Sequence, residues 1–265
     1  MSGGQYMRFH APEIEDESWC PAFLRDGLTD FLQVASETMR IYDGATPVVA
    51  DLMRRHQTSR IVDLCSGGGG PVLRLLSQLT TQPGLEAASA ALTDLYPNVG
   101  AFRVAHMRGA GRVEPRFDGV DAAAVPDDLV GVRTIFNGFH HLRPALARRV
   151  VEDAARKRQP FVSIELVERR ILTVGMVLGT PLAVLVLTPF SRSLSPLRLA
   201  LTYLLPVIPL AVLWDGLMSC LRSYSVDELN AIVDGLSDAN YSFRIEHTRV
   251  SWLPGRLTML IGEPR

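Results

Sequence analysis

The stretch that decides the fold is Arg60-Ile61-Val62-Asp63-Leu64-Cys65-Ser66-Gly67-Gly68-Gly69-Gly70-Pro71. A short apolar strand ends in an acidic residue, a glycine run follows, and Pro71 suits the first turn of a helix. Glycine lets the backbone adopt positive φ and approach a ligand closely, and a helix N-terminus offers unpaired N–H donors. The run has neither the Lys-Ser/Thr pair of a P-loop nor a strict G-x-G-x-x-G dinucleotide fingerprint. It therefore predicts a nucleotide-type site of another kind.

Strands and helices alternate around this turn. The patterns predict two helices over 19–56, separated near Asp43-Gly44, and further helices over 71–79, 144–157 and 225–236. They predict strands over 60–64, 85–93, 132–136, 161–166, 243–248 and 257–262, and a short strand within 111–121. For 85–93, which is rich in alanine, a helix is the main alternative. Such alternation implies an α/β, Rossmann-like fold, with a mostly parallel sheet and helices on both faces.

Composition narrows the class of protein. The 265 residues carry a net charge of -1, so no basic face for nucleic acid is expected. Cys20, Cys65 and Cys220 are far apart and lack metal-ligand spacing, which predicts a reduced compartment and no metal site. The N-terminus lacks the basic and apolar regions of a signal peptide, and residues 1–18 are polar and are predicted to be frayed. We expect a cytoplasmic protein, with attachment to the cytoplasmic face of a membrane left open.

The glycine turn resembles that of the class I S-adenosylmethionine-dependent methyltransferase family. Asp63 matches the family's acidic position, and Gly67 and Gly69 match its second and third glycines. Cys65 stands where the first glycine is usual. The resemblance implies S-adenosyl-L-methionine as the cofactor. It also implies that the two late strands form an antiparallel pair.

Two further acids and one segment extend the resemblance. Asp94 matches the acid that ends the second strand and grips the ribose hydroxyls, and Asp121 matches the acid beside the adenine. The segment 136–142, FNGFHHL, resembles the one that lies beside the methyl group. The resemblance adds these neighbours to the cofactor-binding set: Leu95, Ala122 and Asn137.

The candidate catalytic residues are His140 and His141, at a strand end that should open onto the site. A neutral imidazole can act as a general base near neutral pH. The alternative is that one of them caps a helix or bonds to the backbone. Glu165 and Glu168 lie at the end of the fifth strand, and Glu165 is the candidate substrate contact. For this pair of residues an ion pair with Arg169 or Arg170 is equally plausible.

A second polar cluster follows the apolar part of the chain. If 214–222 is helical, Asp215, Ser219 and Arg222 share one face and, with Trp214, form a candidate substrate-binding surface. The alternative is a structural Asp215–Arg222 pair that anchors the preceding segment.

An apolar insert separates the fifth strand from the capped helix at 225. Residues 171–190 are uncharged and long enough for a membrane span, whereas 199–213 contains Pro206 and Pro209. The insert is either a returning membrane hairpin, with Arg192 and Arg198 at its far turn, or a hydrophobic cap, on its own domain or in a homo-oligomer. Either interpretation implies a hydrophobic methyl acceptor.

These inferences predict four parts and one function. Residues 1–56 are a helical cover of the active site, 57–168 the cofactor-binding core, 169–222 the insert, and 223–265 the completion of the core. The predicted function is methyl transfer to a hydrophobic small-molecule or lipid-like acceptor. The alternative is a non-catalytic ligand-binding or scaffold protein on the same fold. Membrane contact through 171–213 and homo-oligomerisation are both possible partnerships, and nucleic acid is not expected.

Overall fold

The computed structural model describes residues 8–191, 194–251 and 253–265, and within them seven strands form one mixed sheet. The strands are β1 (Arg60–Asp63), β2 (Ser89–Leu92), β3 (Val113–Pro115), β4 (Val132–Phe136), β5 (Phe161–Glu165), β6 (Tyr241–Arg249) and β7 (Arg256–Pro264). They lie in the order β3-β2-β1-β4-β5-β7-β6. The first five are parallel, and β7 is antiparallel to β5 and β6. The predicted Rossmann-like sheet with a late antiparallel pair is confirmed.

Helices cover both faces of this sheet. The helices of the described residues are α1 (Ala22–Thr38), α2 (Thr46–Arg55), α3 (Gly70–Leu79), α4 (Val99–Arg108), α5 (Pro144–Arg156), α6 (Ile171–Leu178), α7 (Thr180–Leu187), α8 (Pro196–Leu199), α9 (Val207–Arg222) and α10 (Val226–Val233). Successive side chains of a strand point to opposite faces. Ile61 accordingly packs in a core with residues of α2 and α3, and Val62 in a second core with residues of α5 and α10.

The second strand is shorter than predicted, and the third is the short strand expected within 111–121. β2 begins only at Ser89, because the residues before it form turns in which the Leu85 N–H donates to Gln82 and the Ala88 N–H to Leu85. β3 ends at Pro115, a residue with no N–H to continue the ladder.

Helix α4 lies where the sequence patterns predict no element. Only Phe102 and Ala105 are buried, so the helix lacks the apolar periodicity that marks the others. Its local signal is Asn98, whose Oδ1 accepts the Ala101 N–H at 3.0 Å in the manner of an N-cap.

The apolar insert folds as a broken helical layer. Its first run changes from α6 to α7 at Gly179, and its second bends by 72° between Pro196–Leu204 and Val207–Arg222. The run Ile171–Phe190 is long and apolar enough to cross a membrane. Only 28% of its most apolar window is buried within the protein.

The inner face of this layer rests on α1. Val184 and Ile208 pack in one cluster with Leu24 and Leu28 of α1. Arg198 is buried and forms an ion pair with Asp30 of α1. Arg192, which the sequence placed at the same turn, lies outside the described residues. Helix α8, which contains Arg198 and which the sequence placed at the far turn of the insert, therefore lies against the domain.

Candidate cofactor and acceptor site

The turn after β1 is shaped by positive backbone angles. The φ angle is 54° at Cys65, 51° at Gly67 and 68° at Gly69, and the Gly69 N–H donates to the Ser66 carbonyl at 2.7 Å. A β-carbon on Gly67 would meet no atom within 4 Å, whereas one on Gly69 would lie 2.8 Å from Leu92 Cδ1. Gly67 thus borders open space and Gly69 close packing. Cys65 holds a left-handed conformation that glycine would adopt more easily.

Asp63 lies buried beneath this turn. Its Oδ1 accepts the Thr134 hydroxyl of β4 at 2.6 Å, and its carbonyl accepts the Ser66 hydroxyl at 2.9 Å. Burial raises the pKa of the Asp63 carboxyl to about 7. Asp63 therefore joins β1, β4 and the turn, so any effect on a ligand would come through the turn that it holds.

Asp94 stands at the end of β2, beside the turn. Its Oδ2 accepts the Gly67 N–H at 3.0 Å, and its Oδ1 accepts the Tyr96 N–H at 3.0 Å. Leu95 is exposed next to it. The carboxylate and the open edge of the glycine turn consequently face the same region.

The remaining predicted cofactor residues lie at neighbouring strand ends. Asp121 Oδ1 accepts the Ala123 N–H at 2.8 Å and closes a tight turn in which Ala122 is buried. Asn137, with a φ of 48°, accepts the Leu166 N–H on its Oδ1 at 3.1 Å and so links the ends of β4 and β5. Because β1 and β4 are adjacent where the strand order reverses, these groups surround the crevice in which such sheets bind ligands.

Helix α1 covers the glycine turn through side chains that the sequence did not single out. A β-carbon on Gly68 would lie 3.1 Å from Thr29 Cγ2, and one on Gly70 would lie 2.8 Å from Gln33 Cγ. No local pattern marks Thr29 or Gln33, because their role comes only from how α1 docks. The helix thus separates the turn from the apolar insert.

His140 and Glu165 form a buried pair. His140 Nδ1 lies 2.6 Å from Glu165 Oε2, and Glu165 Oε1 accepts the Phe139 N–H at 2.8 Å. Within the described residues, His140 Nε2 has no hydrogen-bond partner. Both Glu165 oxygens thus hold the loop after β4, and the interpretation of Glu165 as a substrate contact stays a prediction. Among the described residues, the alternative ion pair forms at Glu168, which lies 3.5 Å from Arg170, whereas Arg169 pairs with Glu228.

His141 lies at the centre of an ionic cluster. Its Nδ1 is 3.0 Å from Asp16 Oδ2, and its Nε2 is 3.6 Å from Glu13 Oε2. Burial disfavours the charged ring, but the Asp16 hydrogen bond and the surrounding carboxylates outweigh this and raise the pKa of His141 to about 9. Arg222 Nη1 completes the cluster at 2.6 Å from Asp16 and 3.1 Å from Glu13.

The acidic residues of this cluster come from a segment that the sequence patterns predict to be polar and frayed. From residue 8 onward that prediction is wrong. The Phe9 N–H donates to the Leu221 carbonyl, and the Arg8 guanidinium donates to the carbonyls of His140 and Leu142 at 2.9 Å. Residues 1–7 lie outside the described part of the chain. The partners are far apart in sequence, so local polarity alone could not identify the docking.

The predicted substrate-binding face of α9 binds this same segment. Asp215 Oδ1 accepts the Ile14 N–H at 2.6 Å, Arg222 Nε donates to the Ala11 carbonyl at 2.6 Å, and Trp214 Nε1 donates to the Pro12 carbonyl at 3.1 Å. The Ser219 hydroxyl donates back to the carbonyl of Asp215. Asp215 and Arg222 each anchor the N-terminal segment rather than forming the alternative pair with each other, and burial raises the pKa of Asp215 to about 6.

No protein-family model and no curated protein sequence matches the chain. Its fold matches solved methyltransferase structures. The plantazolicin methyltransferase BpumL, solved with SAH, is 8% identical with a TM-score of 0.54, and the match covers 92% of this chain and 98% of that one. An O-methyltransferase family protein from Burkholderia thailandensis is 14% identical with a TM-score of 0.50, covering 88% and 58%.

A third match is the O-methyltransferase NcsB1 of neocarzinostatin biosynthesis, solved with S-adenosylmethionine and 2-hydroxy-5-methyl naphthoic acid. It is 17% identical with a TM-score of 0.51, and the match covers 89% of this chain and 57% of that one. The chain thus spans less than two thirds of the length of both O-methyltransferases. The strand order, the late antiparallel pair and these matches agree: the chain has the Rossmann-like fold of class I S-adenosylmethionine-dependent methyltransferases.

Proposed function

We propose that the protein transfers a methyl group from S-adenosyl-L-methionine to a hydrophobic small-molecule or lipid-like acceptor. One observation carries the proposal: the glycine turn after β1 is hydrogen-bonded to an acid at the end of β2, and it borders open space at Gly67. A ligand can approach the backbone closely there, and a side chain at that position would obstruct it. The fold and the cofactors named for the matched structures support the same proposal.

The residues present fit this cofactor. Asp94 would offer acceptor oxygens to the ribose hydroxyls, the Gly67–Gly69 turn would hold the methionine part, and Leu95, Asp121 and Ala122 would hold the adenine. Asn137, at the end of β4, would hold the part that carries the methyl group. When bound, the cofactor supplies an electrophilic methyl group on a sulfonium. The chain's own task is then to position the acceptor in line and to accept its proton if it carries one.

His140 is the acceptor-side group in this proposal. If Glu165 accepts the Nδ1 proton, the lone pair of the ring is left on Nε2, which has no partner in the described residues. That nitrogen can accept a proton from an acceptor hydroxyl. Glu165 is then a positioning residue that sets the tautomer and orientation of the ring.

A bilayer surface is the proposed partner of the insert. One side of α6 and α7 and the turn after them is exposed at helical spacing: Ile171 87%, Leu178 59%, Leu182 67%, Val186 57% and Phe190 71%. We call these five residues the apolar stripe. An uncovered stripe of this kind is unusual on a soluble monomer, and Arg170 at its start suits anionic headgroups.

The packing favours lying on the membrane over crossing it. The opposite side of α7 is buried against α1 and α9, and the turn containing Arg198 is held by Asp30 of α1. A helix of this kind can immerse one face while its backbone remains hydrogen-bonded internally. A hydrophobic acceptor would then reach the site from the bilayer.

Calorimetry with the purified protein tests the proposed function. We expect S-adenosylmethionine and S-adenosylhomocysteine to bind, and NAD not to bind. Release of S-adenosylhomocysteine in the presence of hydroxylated aromatic and lipid acceptors would then identify the acceptor class. Binding of NAD together with no binding of S-adenosylmethionine at millimolar concentration would overturn the proposal.

A further inference from the structure

Glu13, His140 and His141 bring three potential metal ligands together. Their ligand atoms all lie within 4.8 Å of one another. His140 Nε2 is 3.8 Å from Glu13 Oε1, and His141 Nε2 is 3.6 Å from Glu13 Oε2. Zinc bound tetrahedrally at about 2.1 Å separates its ligands by roughly 3.4 Å. The two separations between Glu13 and the histidines, one through each carboxylate oxygen, are within a few tenths of an ångström of that spacing.

Two of these atoms are buried without a hydrogen bond. Among the described residues, neither His140 Nε2 nor Glu13 Oε1 forms one, although both side chains are only 1% exposed. Buried polar atoms that lack a hydrogen bond are costly and point to something that completes them. Arg222 Nη1 lies 3.1 Å from Glu13 Oε1 as an ion pair, while the hydrogen-bond contacts of Arg222 go to Asp16, to His141 Nδ1 and to the Ala11 carbonyl.

The opposite nitrogen of each ring is held by a carboxylate. Glu165 lies 2.6 Å from Nδ1 of His140, and Asp16 lies 3.0 Å from Nδ1 of His141. Metal-binding histidines almost always have such a partner, because it fixes the ring and increases the basicity of the ligating nitrogen.

We propose that Glu13, His140 and His141 bind one divalent transition-metal ion of the zinc class. No metal was predicted from the sequence, because the three cysteines lack metal-ligand spacing. Glu13 lies far from the histidines in the chain, so no local pattern joins these three residues. Two imidazoles and one carboxylate suit zinc and leave a fourth position for water or an acceptor oxygen. Metal binding does not depend on the proposed methyl transfer. In the loaded protein His140 is a ligand, and it is a proton acceptor only in the metal-free protein.

The test is titration of the full chain with Zn²⁺ after treatment with EDTA and removal of the chelator. We expect one equivalent to bind, and Co²⁺ to give the visible absorption of a low-coordinate site. His141→Gln, at a ring that is 26% exposed, should weaken Zn²⁺ binding at least tenfold. Asp16→Asn, which removes only the carboxylate behind the ring, should weaken it about 10- to 100-fold.

His247→Gln is the matched control, since this exposed histidine of β6 contacts Thr258 instead. Thermal melting establishes that each variant is folded. Absence of Zn²⁺ binding to the native chain, or equal affinity in all three variants, would overturn the metal site. S-adenosylmethionine binding is measured separately, so failure of the metal site and failure of the proposed function give different results.

Discussion

The Asp94 carboxylate accepts the backbone N–H of Gly67 across the end of the sheet, with 3.0 Å between nitrogen and Oδ2. Its other oxygen accepts the Tyr96 N–H. One side chain thus holds two loops, the glycine turn after β1 and the turn after β2. Under the proposed function the same carboxylate also binds the ribose, so the binding site and the loop that forms it depend on one residue.

Replacing Asp94 should weaken cofactor binding. For Asp94→Ala we expect a loss of about 1–3 kcal/mol in S-adenosylmethionine binding, or roughly 5- to 150-fold in Kd, because buried donors lose their acceptor. Asp94→Asn keeps one acceptor oxygen, so its Kd should lie between that of the native chain and that of Asp94→Ala. Calorimetry measures both, and unchanged affinity in Asp94→Ala would contradict the proposed ribose contact.

Gly67 and Gly69 should respond differently to alanine. Both have positive φ, which costs a residue with a β-carbon about 1–2 kcal/mol. Gly69→Ala additionally places its β-carbon 2.8 Å from Leu92 Cδ1, and such overpacking adds about 1–3 kcal/mol. The β-carbon of Gly67→Ala would meet open space, so the main effect of this substitution should be on cofactor binding.

Urea unfolding and calorimetry separate these effects. Gly69→Ala should lose more of its free energy of unfolding than Gly67→Ala. Gly67→Ala should lose S-adenosylmethionine affinity while remaining folded. If Gly67→Ala binds as tightly as the native chain, the cofactor does not lie beside this turn.

Asp63 should make stability depend on pH. Burial raises the pKa of its carboxyl from 3.8 to about 7, so the folded protein keeps a proton that the unfolded chain has already lost. The stabilising contribution of Asp63 to the free energy of unfolding is fully present below about pH 4 and is lost as the pH rises through 7. The loss is a few kcal/mol at most, since one pKa unit is about 1.4 kcal/mol.

Comparison with Asp63→Asn isolates this effect. Asparagine can still accept the Thr134 hydroxyl but does not titrate. Other carboxyls with raised pKa, such as Asp215, contribute equally to both proteins. The native free energy of unfolding should therefore fall relative to that of Asp63→Asn between pH 4 and 7. Parallel pH profiles would show that the Asp63 carboxyl is not buried in this way.

The apolar stripe should attach the protein to lipid. We expect the native chain to float with vesicles containing anionic phospholipid, and Leu182→Ser with Val186→Ser to reduce flotation several-fold without lowering the melting temperature. Met107→Ser is the control, because Met107 on α4 is also exposed, at 72%. A protein that stays soluble as a dimer and loses dimerisation in the double variant would instead identify the stripe as a contact between two copies.

The parts of the protein that local patterns predicted are those in which neighbouring residues act together. The strand and glycine turn at 60–71 and the helix capped at Ser225 follow from a short apolar run, from the backbone freedom of glycine and from short-range hydrogen bonds. The antiparallel pairing of the late strands followed instead from the family resemblance. Such signals operate over a few residues, so one sequence is enough to read them. Helix α4 was not predicted, because it buries too few apolar side chains to show a helical period.

The acceptor-side groups required the tertiary structure. His140 and His141 were identifiable as candidates, but their partners Glu13, Asp16 and Glu165 were not assigned to them. Arg222 and Asp16 meet although they are 206 residues apart in the chain. The sequence by itself determined the sheet, the turn and the types of residue at its edge. Only the docking of residues 8–17 and α9 onto that edge decided which charges meet, because burial and Coulomb interactions depend on distance in space.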